Sequence, residues 1–191
     1  TRSTDFITPK NEASRTLRDA VLSLAPDYPF ARSLVNSGRL STPTTYRGSA
    51  LVTPDEDPDD WRGATGPGAP AFDGPVASGG DLGWLLERLG GRFTLMVFAE
   101  RADELDLKMV AACEAMAGPV KLSPLLITRR GASSDIAWPV AEDSENVLWQ
   151  RYDARRGTVY LIRPDQHIAA RWRGFDRGKV ALALRRAVAA E

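Results

Sequence analysis

The sequence predicts an α/β fold: a mixed sheet with parallel strands, a C-terminal antiparallel hairpin and flanking helices. Three observations carry this. Residues 157–173 read as two strands around a Pro164-Asp165 turn, with a helix over 176–190 behind them. Pro164 suits the second position of a tight turn because its ring presets φ, and Asp165 suits the next. Residues 93–99, Phe-Thr-Leu-Met-Val-Phe-Ala, form a near-continuous apolar run, as in a strand covered on both faces. Residues 102–117 then place Leu105, Met109, Ala112, Cys113 and Met116 on one helical face, before a second strand over 120–128.

The remaining elements follow in chain order. Thr8 and Pro9 predict the cap and first position of a helix. Ala13, Leu17, Ala20, Val21 and Leu24 supply its apolar face, and Pro26 stops it. A short second helix from Pro29 is expected to bury Phe30, Leu34 and Val35 and to end at Gly38. Residues 41–80 hold 13 of the chain's 29 Pro and Gly residues, which excludes a long element and predicts a connector wrapped over a surface. Asp81 is expected to cap a helix carrying Leu82, Leu85, Leu86 and Leu89, ended by Gly90-Gly91. Pro124 places its part of the second strand near an edge or bulge, and residues 144–152 predict a short helix. The expected organisation is a helical tail over 1–40, a connector over 41–80 and a sheet domain over 81–191.

Helix-linked strands should be parallel and the last pair antiparallel. With a terminal hairpin and helix, that order is the order of a thioredoxin-like fold.

Composition bounds the function. The 191 residues suit one domain of moderate size with an appendage. With 43% hydrophobic and 26% charged residues, the chain reads as an ordinary soluble globular protein. No apolar run approaches the roughly 18 residues of a membrane span. The polar opening and the absence of an initiator Met are expected of a processed protein or an excised piece. Zero formal net charge removes the electrostatic case for nucleic acid or an anionic membrane. The single Cys excludes an intrachain disulfide framework and fits a reducing, cytoplasmic compartment. One Cys and one His cannot build a zinc site without several carboxylates.

Each chemistry-bearing residue has a plain structural reading beside the functional one. A reactive thiolate needs a helix N-terminus or a nearby cation. Cys113 instead lies late on an apolar helix face and reads as core. In a thioredoxin the turn after strand 93–99 carries the redox cysteines; here it is Ala99-Glu-Arg-Ala-Asp-Glu104. Gly157 stands where that fold keeps a proline before its hairpin. His167 shows no acid partner in sequence and reads as a solvated strand residue. The acidic run over residues 55–60 lacks calcium-loop spacing, Pro58 interrupting it, and reads as a solvated loop. Gly63, Gly66 and Gly68 match neither a P-loop nor a dinucleotide fingerprint and read as turn residues. Arg151, Arg155, Arg156, Arg163, Arg171 and Arg173 form one positive concentration, read as an exposed mixed-charge surface or as an anion site.

Five segments together resemble the C-terminal portion of FAD-dependent aromatic-ring hydroxylases of the phenol hydroxylase and 3-(3-hydroxyphenyl)propionate hydroxylase type. They are residues 3–10, 34–41, 67–69, 84–86 with 93–95, and Gly-Thr-Val-Tyr-Leu-Ile-Arg-Pro-Asp-Gln-His over 157–167. The resemblance implies a parent monooxygenase that binds FAD in an N-terminal domain, uses NAD(P)H and O2, and hydroxylates an aromatic ring. It implies a non-catalytic role for this chain, in packing on that flavin-binding domain and in homo-oligomer contacts. The flavin-binding motifs do not occur in this sequence, so no catalytic, cofactor-binding or metal residue is carried over. The alternatives are a stand-alone thioredoxin- or peroxiredoxin-like protein using Cys113, and a module binding an anionic ligand on the arginine-rich hairpin.

Overall fold

A computed structural model describes residues 6, 8–31, 43–104, 107–115, 120, 122–129 and 138–189. The chain divides into two compact units, Thr1–Pro43 and Thr44–Glu191.

In the first unit, helix α1 spans Glu12–Leu24. Its cap is Asn11, not Thr8: the Asn11 Oδ1 accepts the Ser14 N–H at 2.8 Å. A side-chain amide oxygen at this position satisfies one of the first orphan N–H groups, so the helix starts there. On the expected apolar face Val21 is buried, whereas Leu17 stays 63% exposed. Phe30 was expected inside and is 60% exposed, its ring 5.9 Å from that of Tyr28; the buried residue of that turn is Ala31. Leu34, Val35 and Gly38 lie outside the described residues.

The second unit is built on one seven-stranded sheet. Its strands are β1 (Pro75–Ser78), β2 (Asp81–Trp84), β3 (Phe93–Ala99), β4 (Leu122–Thr128), β5 (Val140–Glu142), β6 (Val159–Ile162) and β7 (Ile168–Trp172). The spatial order is β2-β1-β5-β4-β3-β6-β7. Strands β3 and β4 are parallel in register Phe93↔Leu122 to Ala99↔Thr128, and β5 continues the parallel set beside β4. Strands β3 and β6, and β6 and β7, are antiparallel. Helices α2 (Leu107–Ala115), α3 (Val147–Arg151) and α4 (Arg177–Ala187) connect and close it.

The two sheet faces carry separate cores. Leu95, Val97, Leu126, Val159 and Leu161 pack with Cys113 of α2 and with Val180, Ala183 and Leu184 of α4. Met96, Phe98, Ile127, Tyr160 and Ile162 pack with Leu148 and Trp149 of α3 and with Ala69, Ala71 and Leu85. All seven residues of β3 are buried, as a strand covered on both faces requires.

The helix expected from Asp81 is a correction. Residues 81–84 are strand β2, paired Ser78↔Asp81 to Pro75↔Trp84 with β1, and only Leu85–Arg88 coil, as a 3-10 turn. Gly79 and Gly80 decide this. Their φ values of +60° and +97° make the two-residue primed turn that matches strand twist. The leucine spacing at 82, 85, 86 and 89 fits a helix, but the Gly-Gly hairpin overrides it. Leu82 is left 85% exposed, while Leu85 is fully buried. Pro124 meets its expectation: β5 pairs only with residues 126–128 of β4, so Pro124 sits in the half of β4 that β5 leaves uncovered.

Candidate functional site

The hairpin and the acidic run, separate features in the sequence, come together as one structure. The hairpin turn forms at Pro164 and Asp165, with Gln166 at φ +63° and the Gln166 N–H donating to the Arg163 carbonyl at 2.9 Å. Leu161 pairs with Ala170 but Ile162 pairs with Ile168, so Ala169 is an extra residue, a bulge. The bulge brings Arg171 onto the same face as Ile168, directly across from Tyr160. Arg173, two residues on, shares that face.

Residues 44–73 form a strap along the outer edge of β7. The Thr53 N–H donates to the bulge carbonyl of Ala169 at 2.9 Å. Gly68 N–H donates to the Ile168 carbonyl at 2.7 Å, and Ile168 N–H to the Ala69 carbonyl at 2.9 Å. The strap thereby covers edge groups that would otherwise template association with another chain.

The strap's carboxylates neutralise the hairpin's arginines and, with Asp153, form an ionic clamp between strap and hairpin. Arg171 holds Asp55 bidentately, Nε to Oδ1 at 2.9 Å and Nη2 to Oδ2 at 2.6 Å, and donates to the Thr65 carbonyl at 3.1 Å. Both side chains are nearly closed to solvent, at 6% and 10% exposure. Arg173 pairs with Asp60 at 2.7 Å and with Asp153 at 2.6 Å, and Arg155 adds a second cation to Asp60 at 2.9 Å. The Arg171 and Arg173 guanidiniums lie 4.1 and 3.5 Å from the Trp61 ring centre, and Tyr160 meets Trp61 edge-on. Tyr160 donates to the Tyr152 carbonyl at 2.6 Å, and the Thr65 hydroxyl lies 3.3 Å from the Tyr160 oxygen.

Electrostatics follow from this geometry. The hydrogen bond from Arg173 holds the Asp60 carboxyl below its ordinary value of 3.8; burial opposes this and Arg155 assists it. Burial would raise Asp153, but the Arg173 hydrogen bond and the Arg62 N–H prevail and its carboxyl is lowered. Burial works against the charge on Arg171, and Asp55 and Tyr160 more than restore it. Carboxyls depressed in the folded state add stability above their unfolded value and lose it as pH falls through the folded value. Stability contributed by Asp60 and Asp153 is therefore complete above about pH 4 and lost below it. Burial raises the Asp143 carboxyl, which acts in the opposite sense. Urea unfolding at neutral and acid pH, compared with Asp60→Asn and Asp153→Asn, should show a smaller acid loss in each variant. An unchanged acid loss in both would remove the clamp from this role.

The single-residue candidates fall as follows. Cys113 is buried in the α2–α4 core. The turn after β3 holds its own ion pairs, Arg101 with Asp103 at 2.6 Å and Glu100 with Arg129 at 3.6 Å. Gly157 has φ +84° and donates its N–H to the Phe98 carbonyl at 2.8 Å. His167 corrects its expectation as a solvated residue without an acid: it is only 15% exposed, with Asp165 Oδ1 3.5 Å from Nδ1. The acidic run is likewise not a solvated loop throughout, since Asp55 and Asp60 are the clamp's anions. Arg163 pairs with Asp165 at 2.8 Å, Arg156 with Glu104 at 3.2 Å, and Arg151 donates to the Asp73 carbonyl. The reading as an exposed mixed-charge surface thus holds for Arg155 and Arg156, 61% and 67% exposed, whereas Arg171 and Arg173 are enclosed, and the alternative anion site meets arginines already matched to acceptors from their own unit. Sequence reasoning missed Trp61 and Asp153; the one available signal was a tryptophan directly after the acidic run.

Two open clefts flank the clamp. One of about 340 Å³ is lined by Glu56, Trp61, Arg173, Phe175 and Lys179 among others. The other, about 380 Å³, is lined by Arg47, Ser49, Pro58, Trp61, Gly66 and others. Among the described residues no group of three His, Cys, Asp or Glu side chains is placed to hold a metal ion. No helix among them is long and apolar enough to cross a membrane.

The sheet order and closing helix define a thioredoxin-like α/β protein. A thiol peroxidase from Chromobacterium violaceum superposes with a TM-score of 0.52 at 13% identity, over 62% of this chain and 85% of that one. A wider likeness takes in almost the whole chain. The flavin-dependent monooxygenase PieE, solved with FAD and substrate, matches at TM-score 0.63 and 21% identity, over 98% of this chain and 32% of its own. Aklavinone-11 hydroxylase, solved with FAD and aklavinone, matches at 0.59 and 21%, over 92% and 34%. RebC-10x matches at 0.54 and 20%, over 97% and 31%. The chain thus has the fold of a part of these proteins and spans about a third of their length. No family model and no curated protein matches the sequence.

Proposed function

We propose that this chain is the non-catalytic C-terminal domain of an FAD-dependent, NAD(P)H-using aromatic-ring hydroxylase of the cytoplasm. Its role is architectural: it packs on an N-terminal flavin-binding domain of the same parent chain and supports a homo-oligomer. Residues 1–40 serve as the tail of the flavoprotein part, 41–80 as the connector and 81–191 as the thioredoxin-like domain. The observation that carries this reading is the likeness to PieE over 98% of the chain, which reaches well beyond the 62% shared with the thiol peroxidase. The hydroxylase segments read from the sequence point the same way. Chemistry at the sheet is disfavoured because Cys113 is core and the hairpin arginines are neutralised by the strap.

The test is the reading frame upstream of Thr1 in the encoding gene. A strand-helix unit with Gly-x-Gly-x-x-Gly a few hundred residues earlier is the expected result, and flavin should co-purify with that longer product. A start codon immediately before Thr1 sinks the proposal.

A further inference from the structure

The imidazole of His167 sits between two carbonyl groups. Its Nδ1 lies 3.1 Å from the Asp165 carbonyl oxygen, and its Nε2 lies 3.1 Å from the Thr44 carbonyl oxygen. A carbonyl oxygen only accepts, so each contact is a hydrogen bond only when that ring nitrogen carries a proton. A neutral imidazole carries one proton and satisfies one of the two; the imidazolium satisfies both. We propose that His167 is a protonation-sensitive latch that holds the beginning of the strap, at the Thr44 carbonyl, against the hairpin turn.

The surroundings suit that role. The ring is mostly enclosed and meets the Tyr46 ring at a tilt of 51°, 4.9 Å between centres, two residues along the strap from Thr44. Asp165 of the same turn offers a carboxylate oxygen 3.5 Å from Nδ1, and Arg163 holds that carboxylate from the other side at 2.8 Å. From the strap the facing titratable group among the described residues is the Tyr46 phenol. The backbone register beside the latch is already fixed: Tyr46 N–H donates to the Gly68 carbonyl at 2.8 Å, and Gly68 N–H to Ile168. The carbonyl and the carboxylate of Asp165 both face Nδ1 and favour a proton there, so the neutral ring gives up the proton on Nε2, and the Thr44 contact becomes an acceptor facing an acceptor at the strap's first residues. The rest of the strap is held by the Arg171–Asp55 and Arg173–Asp60 pairs.

His167 is the chain's one histidine, so its ring signals are unambiguous in NMR of the 191-residue chain. While the ring is doubly protonated both ring N–H protons should be observable and slow to exchange. The protection factor of the Tyr46 amide should fall about tenfold as rising pH removes one of those protons, a step followed on the ring's own signals, the effect of losing one charge-assisted hydrogen bond. In His167→Gln that change should vanish. A Tyr46 protection factor equal before and after that step in the wild-type chain overturns the latch, whether or not the variant folds. So does a tenfold change that persists in the variant.

Discussion

Arg171→Ala is expected to destabilise the unit from Thr44 to Glu191 by about 3–5 kcal/mol, the largest effect of any polar substitution in it. The reason is asymmetry. The Asp55 side chain is only 10% exposed, and Arg171 is its bidentate partner. Truncation leaves a desolvated carboxylate unmatched, strips a donor from the Thr65 carbonyl and removes one guanidinium from Trp61. Replacing both partners by apolar residues of similar volume, Arg171→Met with Asp55→Leu, removes the orphan charge and should recover most of the loss. Urea unfolding followed by tryptophan fluorescence measures both. A double variant no more stable than Arg171→Ala alone would mean that the pair is not the strap's principal anchor.

Gly68→Ala is expected to cost about 3 kcal/mol, from a strained backbone and the hydrogen bonds it displaces. Gly68 has φ +87°, and a Cβ there would meet the Tyr46 carbonyl carbon at 2.7 Å and its oxygen at 2.8 Å. Those are backbone atoms and cannot swing aside. The strap must shift, and with it the Tyr46-to-Gly68 and Gly68-to-Ile168 bonds. Gly48 is the control: its φ is +82°, but a Cβ there meets nothing within 4 Å. Gly48→Ala should therefore cost only the conformational part, about 1 kcal/mol. Equal losses at the two positions would contradict a tightly seated strap.

The parts of this protein legible in its sequence are those fixed by local chemistry. A run of seven apolar residues at 93–99, a Pro-Asp turn at 164–165 and the start of the last helix near residue 176 each act over a few residues, and each appears where expected. Cys113 was legible as core because its neighbours on the helix are small and apolar. Residues 81–89 misled because a leucine period of three and four is also what a strand followed by a 3-10 turn happens to show; the adjacent Gly79-Gly80 pair held the deciding information. The clamp was not legible at all. It joins Asp55 to Arg171 and Asp60 to Arg173, more than a hundred residues apart in sequence, and it depends on a bulge at Ala169 that no pattern announces. Read separately, the acidic run and the arginines are two solvated charge clusters. Joined, they are one neutral seam.

That seam sharpens the account of function. A thioredoxin-like sheet carries ion pairs in the turn after β3 and Gly157 before its hairpin, and its outer edge is closed by the strap over residues 44–73. The most direct test is a thiol-dependent peroxidase and disulfide-reductase assay on the purified 191-residue chain beside Cys113→Ser. The account predicts no turnover in the wild-type chain above that of the variant. Turnover that disappears with Cys113 would contradict it.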